Sequence, residues 1–164
     1  MRGANLLAAL LLGGGATLGM DLWNLFLKTA FGIPSLDYCL LGRWVRHIPE
    51  GTLRHASIAA APGKAHECAV GWITHYTIGV VLAVVFVAVA GDRWLRHPTV
   101  LPAVAYGVVT VVFPLFVLQP ALGLGIASAR APKPTQARLK SLGTHVVFGL
   151  GLYLCGLALS VVRA

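Results

Sequence analysis

Acidic side chains are scarce in this chain: five Asp and Glu in 164 residues, against 13 Lys and Arg, with only 11% charged residues in all. So few charges on a 57% hydrophobic sequence of mean hydropathy +0.80 exclude a water-soluble globule and, equally, a disordered chain. Cysteine is limited to Cys39, Cys68 and Cys155, with no C-x-x-C, which argues against a thiol-disulfide oxidoreductase. Only Cys39 and Cys68 fall on the same side of the layout below, so only they are able to cross-link, and then only in an oxidising compartment; reduced, unpaired thiols are the expectation. The sequence also has no Walker loop, no G-x-G-x-x-G after a strand, no G-x-S-x-G elbow and no paired-carboxylate spacing, so no catalytic motif is recognisable.

What is abundant is long apolar sequence. Runs at about 6–27, 69–90, 100–118 and 142–162 each approach the roughly 20 helical residues that cross a hydrocarbon layer of about 30 Å. Runs of that length satisfy their backbone in lipid only as helices, which excludes a barrel. The expected fold is therefore all-α: an integral membrane four-helix up-down bundle, in one transmembrane domain over residues 1–164. The first run follows Arg2 like a secretory leader, but it continues past Gly15 toward Phe31 without a clean small-residue cleavage site, and is read as a retained helix.

Small residues supply the packing logic, since helices in lipid associate by close approach. Gly15 and Gly19 form a small-xxx-small pair, Gly149 and Gly156 open faces of the last helix, and Pro114 is expected to kink the third. The connections alternate in size. The 91–99 turn is short, whereas 32–68 and 119–141 are long and, in an up-down bundle, share a side. In the first of them a short amphipathic helix is expected over about 35–48, capped by Ser35. Leu36, Leu40, Trp44 and Ile48 would face the membrane interface, with Arg43, Arg46 and His47 on the opposite arc.

The long-loop side carries Lys28, Arg43, Arg46, Arg54, Lys64, Arg130, Lys133, Arg138 and Lys140, the other side Arg2, Arg93, Arg96 and Arg163. Nine against four puts the long loops in the cytoplasm by the positive-inside rule, although the four sit in much shorter segments, which argues the other way. The surplus of cations would suggest nucleic acid in a soluble protein; between apolar runs, anionic lipid headgroups are the expected partner.

Three ionisable residues interrupt the apolar runs, Asp21, His75 and His145, each about four to seven residues from the long-loop end of its helix and hence roughly 6 to 10 Å along the axis. Such groups cost about 2.5–3.5 kcal/mol each at the centre of a bilayer, so their presence asks for a reason. At a shared depth a carboxylate and two imidazoles suit a transition metal, and two facing imidazoles suit haem iron; equally, the same groups serve to fix helix register. Thr74-His75 and Thr144-His145 are each followed by a glycine four residues on, Gly79 and Gly149, a notch for a neighbouring helix or a flat ligand. Gln119, next to Pro120, Gly123 and Gly125, completes the candidate ligand-binding set, and Arg130, Lys133, Arg138 and Lys140 serve either headgroups or an anionic substrate. His47, His55, His66, Glu67 and His97 read as solvated loop residues.

The segments GATLGMDLWN, GIPSLDYCLLGRWVRHIP, HASIAAAP, GWITHYTIG and FPLFVLQPALGLGIASARAPKPTQARLKSLGTHVVFGLGLYL, in that order, resemble the bacterial inner-membrane proteins catalogued as domain-of-unknown-function family 2938. The resemblance spans nearly the whole chain and implies a small multi-pass protein of the bacterial inner membrane; it supplies no activity. Three functions follow: binding of a cation, haem or small ligand at the Asp21, His75 and His145 level; proton-coupled transport or a solute channel, for which four helices call for a homo-oligomer; and an accessory subunit of a membrane complex.

Overall fold

The computed structural model describes residues 3–163 and is all-helical, with no strand among the described residues. Helix α1 covers Gly3–Phe31, α2 Tyr38–His47 and α3 Glu67–Arg96. The span Val100–Ala121, here α4, is α-helical over Val100–Thr110 and π-helical over Pro114–Leu118; α5 covers Pro134–Arg163. All but α2 are long and apolar enough to cross a membrane. Arg2, counted above on the short-loop side, lies outside the described residues.

The helix ends follow local chemistry. α1 outlasts its apolar run and stops where Gly32 turns left-handed (φ +64°), the N–H groups of Gly32 and Ile33 closing back on the Lys28 and Leu27 carbonyls just before Pro34. Asp37, not Ser35, caps α2: its carboxylate accepts from the Cys39 N–H at 2.8 Å. α5 begins eight residues before the predicted 142, with Pro134 in the first turn where a missing N–H costs nothing. Pro114, unable to donate and crowding the preceding turn, widens α4 into the π-helical stretch.

The chain forms two compact units. One comprises the residues up to Pro34, Tyr76–Thr110 and those from Gly143 on. Its core is Ala8, Ala9, Leu12, Ala16, Ala83, Phe86, Val87, Trp94, Leu95, Ala103, Phe148 and Leu152. Backbones meet directly here. A Cβ on Gly13 would lie 2.6 Å from Val80 Cα, on Gly149 2.6 Å from the Ala103 carbonyl, and on Gly151 2.7 Å from Ala16 Cα. Gly15 packs on Cys155 and Gly156 on Trp94, but Gly19 has nothing within 4 Å, so the expected Gly15–Gly19 pair works through one member only. Large apolar side chains point outward, Val89 79%, Leu101 76% and Val161 72% exposed, a surface that suits hydrocarbon and not water.

The second unit comprises Ser35–His75 and Val111–Leu142. Here the two long connections pack together: the His55 N–H donates to the Ala121 carbonyl (2.9 Å), the Ile58 N–H to Leu122 (3.1 Å), and Gly123 abuts the Ala56 carbonyl. α2 lies against the head of α3 through Gly42 and Gly71, each so close to the other helix's backbone that no side chain fits. A disulfide between Cys39 and Cys68 closes the same contact, correcting the expectation of unpaired thiols; only Cys155 is free. The spacing of 29 residues gave no hint of it, because α2 must first dock before the two sulfurs meet.

Candidate functional site

Polar bonds link the four helices of the first unit. From α3, the Tyr76 hydroxyl donates to the Asp21 carboxylate of α1 at 3.0 Å. The Thr144 hydroxyl of α5 donates to Asn24 of α1 at a long 3.4 Å. Between α4 and α5, Thr110 Oγ1 lies 2.8 Å from His145 Nδ1. Thr110 has one hydroxyl proton, and it goes to the Gly107 carbonyl at 2.6 Å. His145 must therefore donate through Nδ1–H, which makes Nε2 the basic nitrogen of the neutral ring.

His75 belongs to the other unit, where its ring stacks on Tyr38 (centroids 4.1 Å apart, 24° between planes) and meets the edge of Trp72 at 6.1 Å. Gln119 is also there, buried: its Oε1 accepts from Ser128 at 2.7 Å and its Nε2 donates to Ser141 at 3.2 Å. Among the described residues no three His, Cys, Asp or Glu side chains come together in a way that would hold a metal ion. The two glycine notches are filled by helices: Gly79 receives the Thr17 side chain of α1, and Gly149 receives Ala103 and Val104 of α4.

Asn24, Tyr76, Thr110 and Thr144 were not among the predicted site residues. Signals for three of them were present: Asn24 lies three residues after Asp21, on the same helical face, while Tyr76 and Thr144 adjoin the two intramembrane histidines. Thr110 had none, since an isolated threonine in an apolar run reads as filler.

In the second unit the largest departure is Arg43. It does not line a solvated arc of α2 but turns into the unit. Nε and Nη2 pair with both Glu67 oxygens (2.9 and 2.7 Å), and Nη1 donates to the carbonyls of Ile58, Ala59 and Ala61 (3.1–3.3 Å). Its hydrogen bonds to the Glu67 carboxylate raise Arg43 above the ordinary guanidinium range. This planar fork organises the 58–67 connection in a way lysine does not reproduce. His47 is likewise buried rather than solvated, its Nε2 3.2 Å from the Pro62 carbonyl and its Nδ1 3.3 Å from Glu50, and its ring meets that of His55 edge-on at 5.0 Å. Both ring nitrogens of His55 are buried without a hydrogen-bond partner. Glu50 also pairs with Lys64, whose ammonium holds the carboxylate below its usual range. Trp44, expected at headgroup level, gives its indole N–H to the Leu53 carbonyl at 2.9 Å.

The 122–133 connection is held in an unusual path. Ala127 and Ser128 both adopt left-handed conformations (φ +49° and +58°), at about 1–3 kcal/mol each for residues other than glycine. The Ser128 bond to Gln119 and an Arg138 Nε–H bond to the Ala127 carbonyl (2.7 Å) fix them.

An all-helical chain with four helices long and apolar enough to cross a bilayer, with polar bonds between them, has the build of a small polytopic membrane protein. The chain belongs to the family described as "Protein of unknown function (DUF2938)", whose sequence profile matches residues 10–159. No curated protein and no solved structure matches it.

Proposed function

We propose that this is an integral protein of the bacterial inner membrane that binds a small ligand at the polar layer around Asp21 and His145. The observation that carries the reading is the pairing of each ionisable group with a hydroxyl from a different helix, Asp21 with Tyr76 at 3.0 Å and His145 with Thr110 at 2.8 Å. Register alone needs no ionisable groups, because the Gly13, Gly149 and Gly151 contacts already fix how the helices meet. A carboxylate that only accepts and an imidazole with a defined tautomer favour a ligand that carries a positive charge or several hydrogen-bond donors. The metal variant of this reading lacks a three-donor set among the described residues. Native mass spectrometry of the detergent-purified protein tests the proposal: a small molecule should be retained by the wild type and lost on Asp21→Asn or His145→Ala with folding intact. Retention in both variants, or no ligand in the wild type, refutes it.

A second reading, proton transfer across the layer, is favoured by the same two pairs, since carboxylate, phenol, hydroxyl and imidazole all exchange protons. It is distinguished by pH-driven flux in proteoliposomes that Asp21→Asn abolishes.

The Cys39–Cys68 disulfide supports long connections that face outward from the cytoplasm, the reverse of the nine-against-four count. Arg93 and Arg96 would then mark the cytoplasmic turn, as a rule weighted to short segments prefers. A fluorescent protein fused to the C-terminus should glow, and an alkaline phosphatase fused there should be inactive; the opposite pair of results reverses the orientation.

A further inference from the structure

The second unit holds cations that its own acids do not neutralise. Its three acidic residues are all committed: Asp37 caps α2, Glu50 pairs with Lys64 and His47, and Glu67 with Arg43. No Asp or Glu follows Asp92 in the sequence. Arg130, Lys133 and Arg138 are exposed and form no ion pair among the described residues; the side-chain hydrogen bond of Arg138 goes to a neutral carbonyl. These cations are presented by a fixed frame. The left-handed pair Ala127–Ser128 is locked from both sides, and the Arg130 N–H closes on the Leu124 carbonyl at 2.8 Å. The frame leaves Ile126 59% exposed at its tip. In sequence it also lies between two stretches long and apolar enough to cross a membrane, Val100–Ala121 and Pro134–Val162, which would hold it where hydrocarbon gives way to headgroups.

From this we infer that the 122–138 segment is a binding site for an anionic phospholipid, its phosphodiester held by Arg130, Lys133 and Arg138 and its acyl chains beside Ile126. The charge complementarity is direct, since guanidinium and ammonium groups without a partner acid take phosphate oxygens through charge-assisted hydrogen bonds. An apolar tip and flanking spans select a lipid over a free anion. The rigid path matters because it removes the ordering cost that a flexible basic loop would bear on binding.

Native mass spectrometry in neutral detergent tests this with three probes: phosphatidylglycerol, phosphatidylcholine and inorganic phosphate. The wild type should bind phosphatidylglycerol in preference to phosphatidylcholine and show no bound inorganic phosphate. The double variant Arg130→Gln/Lys133→Gln should bind phosphatidylglycerol about 30-fold more weakly, from about fivefold per cation, with phosphatidylcholine unaffected. Both side chains are exposed and make no hydrogen bond or ion pair among the described residues, so the variant should keep the wild-type helix content and melting temperature. The control Arg93→Gln/Arg96→Gln should bind as the wild type does. Equal binding of the two lipids, an unchanged double variant, an equal loss in the control, or binding of phosphate alone would each overturn the inference.

Discussion

The unit that contains Asp21 and His145 and the unit that contains Arg43 are held together by different physics. In the first, helices come within backbone contact at Gly13, Gly107, Gly149 and Gly151, and the core is built mainly from alanine, leucine and phenylalanine. In the second, one disulfide, a forked Arg43–Glu67 pair and a run of side-chain to carbonyl bonds shape two irregular connections. A bilayer offers little gain for burying apolar surface, so shape must hold helices there. Long connections have no such shape of their own and need specific links.

That contrast is open to direct attack. The largest effect should come from Gly149→Val, because the atoms a side chain would meet at 2.6–2.7 Å, the Ala103 carbonyl and Val104 Cα, are backbone and not the end of a flexible side chain. No monodisperse protein should be recovered in detergent, whereas Gly19→Ala, in open space, should purify normally. Next, Cys39→Ser/Cys68→Ser should cost about 2–4 kcal/mol. Hydrogen exchange should locate that loss in 35–75 and leave 3–34 and 76–110 as protected as before; equal deprotection of both would erase the distinction between the units.

Thr110→Val should cost about 1 kcal/mol by removing the hydroxyl that half-buried His145 meets through Nδ1, and a tautomer change visible in the imidazole nitrogen shifts should accompany it. The smallest effect concerns acid. Glu50, held below its ordinary value of 4.5 by Lys64, stabilises the folded connection above that value, and the contribution disappears as pH falls through the lowered one. Amide protection over 48–66, corrected for the intrinsic pH dependence of exchange, should therefore stay constant from neutral pH to about 5 and fall only below about 4.5. Glu50→Gln should loosen the segment above about pH 4.5 and match the wild type once the wild-type Glu50 carboxylate is protonated.

The four spans were legible because one property, apolar length, decides them, and their family resemblance ran through the same segments. Their ends were less so. Arg138 and Lys140 look like a loop to a hydropathy count, yet nothing prevents a helix from carrying charge before it enters an apolar layer, and α5 does so from Pro134 on. Asp21 and His145 stood out by their cost in an apolar run, but the pairing of each with its partner did not, since Thr110 is 35 residues from His145 and Tyr76 is 55 from Asp21. Arg43 was misjudged for a related reason. A periodic pattern assigns faces on the assumption that polar means outward, and a guanidinium with a carboxylate and three carbonyls waiting for it reverses that assignment.

The tie between Cys39 and Cys68 makes the intervening residues a closed ring. A protease that nicks the exposed stretch around Leu53 and Arg54 would open that ring without parting the polypeptide. On a non-reducing gel the nicked protein would migrate as a single species, and only a thiol reagent would release its two fragments.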